Sequence, residues 1–203
     1  MAVRTVIFDL GGVLIDWNPR YLYRKIFEDQ EQMEYFLSHI CTSNWNEEQD
    51  GGRSIKEATE LLINQHPDWE TEIQAFYGRW EEMLGGVFED TVELLKRIHK
   101  SGNYRLYALT NWSAETFPRA LELYDFLNWF EDVLVSGKEK IKKPDPLIYR
   151  LLLDRFQINP QTAVFTDDNL RNVLAARAEG ISTIHFQSAT QLEAAFNEMG
   201  MKF

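Results

Sequence analysis

Polar side chains stand directly after three of the apolar segments in this chain. They are Asp9 after residues 3–8, Thr110-Asn111 after residues 104–109 and Asp167-Asp168 after residues 163–166. A carboxylate that follows a buried segment costs free energy unless it pairs with another group, coordinates a metal or reacts. These residues are therefore the first candidates for chemistry.

Two clusters of carboxylates in one place predict a cation between them, because they would otherwise repel each other. Mg²⁺ prefers oxygen ligands and commonly takes one or two carboxylates together with water and substrate phosphate. Asp9, the backbone carbonyl of Gly11, and Asp167 or Asp168 could supply the protein ligands. An ion pair with Lys143 is the alternative explanation for either acidic group, but it explains both clusters together less well than a metal does.

Thr110, Asn111 and Lys143 are candidate ligands of a phosphate group. The hydroxyl of Thr110 and the amide of Asn111 can donate hydrogen bonds to phosphoryl oxygens. Lys143 precedes a proline, which favours an extended backbone, and its ammonium could offset the charge of the carboxylates and the phosphate. Its neighbour Lys142 is predicted to be a solvated surface residue.

The order of the apolar segments predicts that these residues meet at one edge of a sheet. Residues 3–8 are rich in β-branched side chains, as is typical of a strand buried on both faces. Further strands are predicted over residues 104–109, 132–135, 163–166 and 182–186, with helices between them. Such alternation predicts an α/β fold with a parallel sheet, and ligands bind at the carboxyl ends of its strands.

Residues 17–85 interrupt this alternation and are predicted to form helices only. Ser54 and Glu57 form a capping box that begins a helix over residues 54–65, and a further helix is predicted over residues 68–84. Before the first of these helices lies a polar segment, residues 45–53, with a turn at Asp50-Gly51-Gly52. Trp45 or Arg53 of this segment could contact the part of a substrate beyond its phosphate, or the segment could be an ordinary connection with Trp45 in the core.

Four sequence motifs resemble those of the haloacid dehalogenase-like (HAD) hydrolases. They are FDLGGVL at Asp9, ALTN at Thr110, KKPDPLIY at Lys143 and FTDDN at Asp167-Asp168. The resemblance implies a Rossmann-like parallel sheet flanked by helices, formed by residues 1–16 and 86–203, and an inserted helical cap domain, residues 17–85.

The resemblance also implies a mechanism. Asp9 would attack phosphorus to form an aspartyl-phosphate that water hydrolyses, and Mg²⁺ held by Asp9, Gly11 and the acidic pair Asp167-Asp168 would neutralise charge. Thr110, Asn111 and Lys143 would hold the phosphoryl oxygens.

Gly11 is the one departure from the family pattern. Phosphatases of this family usually carry a second Asp at this position, two residues after the nucleophile, and it acts as the general acid. Losing a positioned acid typically lowers the rate about 10²–10⁴-fold. Some relatives that act on sugar 1-phosphates also have FDLG here, so the resemblance favours a Mg²⁺-dependent phosphomonoester hydrolase acting on a small phosphorylated metabolite, such as a sugar 1-phosphate. Either the leaving group departs easily, or water or a substrate hydroxyl supplies the proton.

Two other functions remain open at this point. A 2-haloacid dehalogenase uses the same Asp nucleophile on carbon and also lacks the second Asp, but the acidic pair Asp167-Asp168 favours a phosphatase. A catalytically weak domain with a binding or regulatory role is the other alternative, and only Gly11 favours it.

The composition restricts the classes of binding partner and the cellular location that we expect for this chain. The chain has 203 residues, a formal charge of −11 and a single cysteine, Cys41. The charge argues against nucleic acid and anionic membranes, the lone cysteine argues for a reducing cytoplasm, and no apolar run is long enough to span a bilayer. We expect a cytoplasmic monomer or homodimer.

Overall fold

The computed structural model describes residues 2–203; Met1, where the predicted core domain begins, lies outside them. The described strands, in chain order, are β1 (Thr5–Phe8), β2 (Ile15–Trp17), β3 (Leu84–Val87), β4 (Arg105–Thr110), β5 (Asp132–Val135), β6 (Ala163–Asp167) and β7 (Ser182–His185). Five of them form a parallel sheet in the order β5-β4-β1-β6-β7. The predicted α/β fold is confirmed.

The α-helices follow the same chain order. They are α1 (Arg20–Tyr23), α2 (Gln30–His39), α3 (Ser43–Asp50), α4 (Ile55–Gln65), α5 (Glu70–Gly78), α6 (Glu89–Ser101), α7 (Phe117–Leu123), α8 (Ser136–Glu139), α9 (Pro146–Arg155), α10 (Leu170–Ala178) and α11 (Ala189–Glu198). Short 3-10 helices cover Pro67–Trp69, Trp80–Met83, Asp125–Trp129 and Pro160–Thr162.

The central strand β1 is buried on both faces, as its sequence predicts. Val6 and Phe8 belong to one hydrophobic cluster and Ile7 belongs to the other, and all three side chains are inaccessible to solvent. Successive side chains of a strand point to opposite faces, so β1 supplies the core on both sides. Because β1 lies between β4 and β6, the residues that follow these three strands are neighbours.

Helices α1–α5 form the insert between β1 and the rest of the sheet, and two short strands frame it. Strands β2 and β3 pair antiparallel, with Ile15 opposite Val87 and Asp16 opposite Gly86. The sequence pattern does not indicate this antiparallel pair of strands, because the two glycines of β3 favour a helix end. Gly85 fits there because a side chain at that position would collide with Asp16 and Tyr21.

Two predicted elements of the insert differ from the structure. The helix predicted over residues 68–84 is interrupted, and it becomes Pro67–Trp69, α5 and Trp80–Met83. The polar segment that was predicted as a connection contains a helix, α3, which is capped by the Thr42 hydroxyl. Helix α3 has no apolar stripe, so periodicity could not reveal it. The predicted domain boundaries at residues 16 and 86 stay predictions.

Candidate active site

Three carboxylates converge at the carboxyl edge of the sheet. Asp9 follows β1, Asp167 ends β6 and Asp168 comes next, and an oxygen atom of each lies within 4.8 Å of the other two. Asp9 and Asp167 are 7% and 0% exposed, whereas Asp168 faces solvent. The pairing of β1 with β6 makes this convergence possible, because it places Phe8 opposite Thr166, each one residue before an acidic group.

Lys143 lies between the two buried carboxylates. Its Nζ is 2.8 Å from Asp9 Oδ2 and 2.7 Å from Asp167 Oδ2. It also donates a hydrogen bond of 3.0 Å to the backbone carbonyl of Leu109, at the end of β4. The side chain is 1% exposed, so all three of its partners are fixed within the protein.

The pKa values of this cluster show how strongly the charges interact. Burial raises the pKa of Asp9 well above its ordinary value; Lys143 lowers it in part, and the negative charge of Asp167 raises it further. Burial alone would lower the pKa of Lys143, but Asp167 and Asp9 outweigh that effect and raise it. The cluster is therefore short of positive charge.

The residues present fit a Mg²⁺ ion. Three carboxylates and one ammonium leave a net charge of −2 when all are ionised, and a hard divalent cation compensates that charge with the oxygen ligands it prefers. Gly12 keeps the space beside Asp168 clear, since a side chain at residue 12 would collide with the Asp168 carboxylate. The Gly11 carbonyl as a further ligand stays a prediction.

Asn172 and Asn169 orient Asp167. The amide of Asn172 donates to both carboxylate oxygens of Asp167 at 3.0 Å, and the Asn169 backbone N–H donates at 2.8 Å. Sequence reasoning did not identify Asn172. The only signal was its place in the first turn of α10, directly after the acidic pair, where its side chain can reach back to the strand end.

Asn111 fixes the backbone of Lys143. Its amide accepts a hydrogen bond from the Lys143 N–H at 2.8 Å and donates one to the Lys143 carbonyl at 2.9 Å. Thr110 is the last residue of β4 and is 1% exposed. The cavity lining begins one residue later, at Asn111. Phosphate binding by either residue stays a prediction.

A cavity of about 290 Å³ opens above the carboxylates, between the sheet edge and the insert. Asp9, Asn111, Lys143 and Asp168 lie on the side of the sheet. The opposite side comes from the insert and is rich in aromatic and polar side chains, namely Trp17, Asn46, Glu47, Asp50, Tyr77 and Trp80. The volume suits a small phosphate ester.

Several contacts close the insert over this cavity. Lys142 donates to the Glu47 carbonyl at 3.1 Å, and Arg119 pairs with Glu81 at 2.8 Å. The Ser136 hydroxyl donates to the Asp50 carbonyl at 2.5 Å. Lys142 was predicted to be solvated, but its contact with the insert leaves the side chain only 27% exposed.

Trp45 and Arg53 lie away from the cavity lining. The Trp45 ring packs edge-on against Phe76 at 5.1 Å, within the core of the insert. Arg53 donates to the side chain of Gln49 at 2.8 Å and to the Trp45 carbonyl at 3.0 Å. Their predicted contact with substrate therefore stays a prediction without support from this geometry.

Gly11 lines the cavity and has room for a side chain. A Cβ placed there meets no heavy atom within 4 Å. Neither crowding nor a left-handed backbone requires glycine at this position.

Comparison with known proteins shows the family of this chain. The family model for haloacid dehalogenase-like hydrolases matches residues 3–180. The chain belongs to this family. The predicted family, and with it the prediction of a hydrolytic enzyme, is confirmed.

Curated relatives of this HAD hydrolase include phosphatases. It is 27% identical over 184 residues to the sesquiterpene phosphatase astK of Aspergillus oryzae, which covers 90% of this chain and 89% of the relative. It is 24% identical over 191 residues to a phosphoglycolate phosphatase of Vibrio vulnificus, covering 89% and 82%.

A solved structure shares the fold of this HAD hydrolase. It is a HAD family enzyme of Bacteroides thetaiotaomicron in complex with magnesium and inorganic phosphate, with a TM-score of 0.69 and 23% identity over 92% of this chain and 96% of the other.

Proposed function

We propose that this HAD hydrolase is a Mg²⁺-dependent phosphomonoesterase that acts on a small phosphorylated metabolite through an aspartyl-phosphate on Asp9. The observation that carries the proposal is the cluster of Asp9, Lys143 and Asp167 beside a cavity that Asp9 and Lys143 line, with both carboxylates 2.7–2.8 Å from one ammonium. The phosphatases among its relatives support the same activity.

Asp9 is placed to act as the nucleophile. Its Oδ1 accepts a hydrogen bond of 2.7 Å from the Leu10 N–H, and its Oδ2 contacts Lys143, so the carboxylate is held in one orientation. A fixed nucleophile removes much of the entropic cost of reaching the transition state. The attack forms a bond from an Asp9 oxygen to phosphorus as the ester bond breaks, and water then cleaves the aspartyl-phosphate.

Lys143 provides positive charge at the point where negative charge collects. Its ammonium offsets Asp9 in the resting enzyme and can share its hydrogen bonds with the phosphoryl oxygens during transfer, in a site from which water is largely excluded. Mg²⁺, held by Asp9, Asp167 and Asp168, would supply Lewis-acid neutralisation of the transferring group.

The cavity favours a leaving group with an apolar or carbohydrate face. Trp80 and Trp112 meet edge-on at 5.8 Å beside the cavity, and Trp17 and Tyr77 complete an aromatic wall. A sugar ring stacks on such a wall, as the resemblance to sugar-1-phosphate phosphatases implies. A terpenyl chain would pack there equally well, and the similarity to a sesquiterpene phosphatase supports it as a second candidate.

The proposal is tested with a panel of phosphate esters in the presence of Mg²⁺: glucose 1-phosphate, farnesyl monophosphate, phosphoglycolate and p-nitrophenyl phosphate. We expect inorganic phosphate release that EDTA abolishes and that Asp9→Asn lowers by at least about 10³-fold, because the covalent route is lost. Asp154→Asn, an exposed carboxylate on α9, is the matched control and should retain the wild-type rate.

Two results would contradict the proposal. Halide release from a 2-haloacid without Mg²⁺, combined with no phosphate release, would support the dehalogenase alternative. Absence of Mg²⁺-dependent phosphate release from every ester, with no difference between wild type and Asp9→Asn, would support a binding or regulatory role.

Location and oligomeric state complete the proposal. Among residues 2–203, no helix is long and apolar enough to cross a bilayer. The cytoplasmic location and the monomeric or homodimeric state stay predictions.

A further inference from the structure

The reaction geometry shows where a proton donor has to stand. In-line displacement at phosphorus places the nucleophile and the leaving oxygen on opposite sides of the phosphoryl group. Asp9 lies at the sheet edge, so the leaving oxygen faces the insert. Residue 11, the usual place of the acid, is a glycine with open space around it.

Two carboxylates of the insert line the cavity, Glu47 and Asp50. Glu47 is held by cations, with Lys142 Nζ at 3.4 Å and Arg171 Nη2 at 4.0 Å, and its side chain is 39% exposed. Two cations therefore engage the Glu47 carboxylate. Asp50 is different because, among residues 2–203, its carboxylate forms no ion pair within 4.0 Å and accepts a hydrogen bond of 3.5 Å from the neutral amide of Asn46.

Asp50 is fixed to the core through its backbone. It is the last residue of α3, and its carbonyl accepts from the Ser136 hydroxyl at 2.5 Å. Ser136 is fully buried, and its oxygen accepts from the Trp112 N–H at 3.0 Å. A chain of two hydrogen bonds therefore joins the end of β4 to this residue of the insert.

We propose that Asp50 is the general acid of this enzyme and replaces the carboxylate that is missing at Gly11. The inference rests on the proposed phosphatase function. In the first step Asp9 Oδ bonds to phosphorus, the ester P–O bond breaks, and the Asp50 proton passes to the leaving oxygen. In the second step water attacks phosphorus, its proton returns to Asp50, and the P–O bond to Asp9 breaks, which releases inorganic phosphate.

The surroundings of Asp50 keep this proton available near neutral pH. Burial raises the pKa of Asp50 to about 7; Lys142, the Ser113 N–H and Lys143 lower it in part, and Glu47 raises it further. Asn46 on α3 and Tyr77 on α5 face it from the insert, and burial raises the pKa of Tyr77, which keeps that phenol neutral. A general acid works best when its pKa is close to the working pH.

The test compares an ester that needs a proton on its leaving group with one that does not. Without an acid, glucose 6-phosphate has to release its sugar as an unstable alkoxide. In contrast, p-nitrophenyl phosphate releases a stable phenolate that needs no proton. We expect Asp50→Asn to lower kcat for the first about 10²–10⁴-fold and for the second less than about 5-fold. The wild-type rate on glucose 6-phosphate should fall above about pH 7, and the variant should lose that limb.

Two further variants separate catalysis from docking of the insert. Glu48→Gln removes a carboxylate of the same helix that contacts Lys142 at 3.4 Å without lining the cavity, and it should leave both rates unchanged. Gly11→Asp added to Asp50→Asn should recover at least about tenfold on glucose 6-phosphate, because it returns an acid to the open space at residue 11.

The outcomes distinguish this inference from the function on which it rests. A parallel loss on both esters in Asp50→Asn, or an unchanged rate on glucose 6-phosphate, would overturn the role of Asp50 while leaving the phosphatase intact. If wild type hydrolyses neither ester with Mg²⁺, or if Asp9→Asn retains full activity, the proposed function itself fails.

Discussion

Lys143 and Asp167 form an ion pair of 2.7 Å in which the two side chains are 1% and 0% exposed. Lys143 lines the cavity and Asp167 lies behind it, so both partners are almost completely shielded from solvent. Removing one partner of a buried pair is far more costly than never having built it, because the other charge remains buried. This relationship makes Lys143 a structural residue as well as a candidate catalytic one.

Lys143→Met should therefore destabilise the fold. We expect the free energy of unfolding in Mg²⁺-free buffer to fall by about 3–5 kcal/mol, since Asp9 and Asp167 lose their shared cation. Urea unfolding followed by circular dichroism measures the change. Lys142→Met, at a partly exposed lysine, is the matched control, with an expected loss below about 1 kcal/mol. Equal losses in the two variants would show that burial of the pair does not matter.

Asn172→Ala should weaken Mg²⁺ binding. Asn172 donates to both oxygens of Asp167, and residues that orient a metal ligand typically contribute about 10–100-fold in affinity. Calorimetric titration with Mg²⁺, or the rise of the melting temperature with Mg²⁺ concentration, measures the effect. Asn197→Ala, on the exposed side of α11, should behave as wild type. Unchanged affinity in Asn172→Ala would mean that Asp167 needs no such support.

Gly12→Ala should disturb the same site by a different route. Gly12 has φ +72°, and a side chain there would collide with the carboxylate of Asp168. Gly200 has a similar φ of +75° with nothing within 4 Å of an added Cβ, so Gly200→Ala isolates the backbone cost of about 1–2 kcal/mol. We expect both variants to lose that stability but only Gly12→Ala to bind Mg²⁺ more weakly. Equal Mg²⁺ affinities in Gly12→Ala and Gly200→Ala would argue against Asp168 as a ligand.

Asp50 should make stability depend on pH. Its pKa is raised to about 7 by burial, so between the unfolded value near 4 and pH 7 the folded state binds more protons than the unfolded state. The contribution of Asp50 is therefore fully present below about pH 4 and is lost as pH rises through 7. From pH 5 to pH 8, wild type should lose about 2.5 kcal/mol relative to Asp50→Asn in Mg²⁺-free urea unfolding. A constant difference between the two proteins would contradict the raised pKa.

The sheet and its polar edge could be predicted because local patterns decide them. The apolar run that ends at Asp9 and the acidic pair at Asp167-Asp168 are continuous in sequence, and α/β topology sends them to the same edge. Asp145 caps α9 directly before Pro146, a local arrangement that is visible in the sequence. These features depend on short-range geometry and on rules shared by all parallel sheets.

The remainder of the site depends on contacts that sequence spacing cannot show. Asp50 belongs to a helix with no apolar stripe, and docking of the insert, partly through Ser136, brings it into the cavity that Asp9 also lines. Asn111 was expected to bind phosphate, but its amide is engaged by the Lys143 backbone, 32 residues away in the chain. Such pairings arise from tertiary packing, which overrides local preference.

The antiparallel pairing of β2 with β3 has a consequence for turnover. The chain enters and leaves the insert through two paired strands, so the insert is joined to the core by one two-stranded ribbon and not by two separate linkers. A proton donor carried on that lid would reach the reacting ester only when the lid is shut. The enzyme would then select substrates that keep the insert closed over the cavity long enough for the ester P–O bond to break.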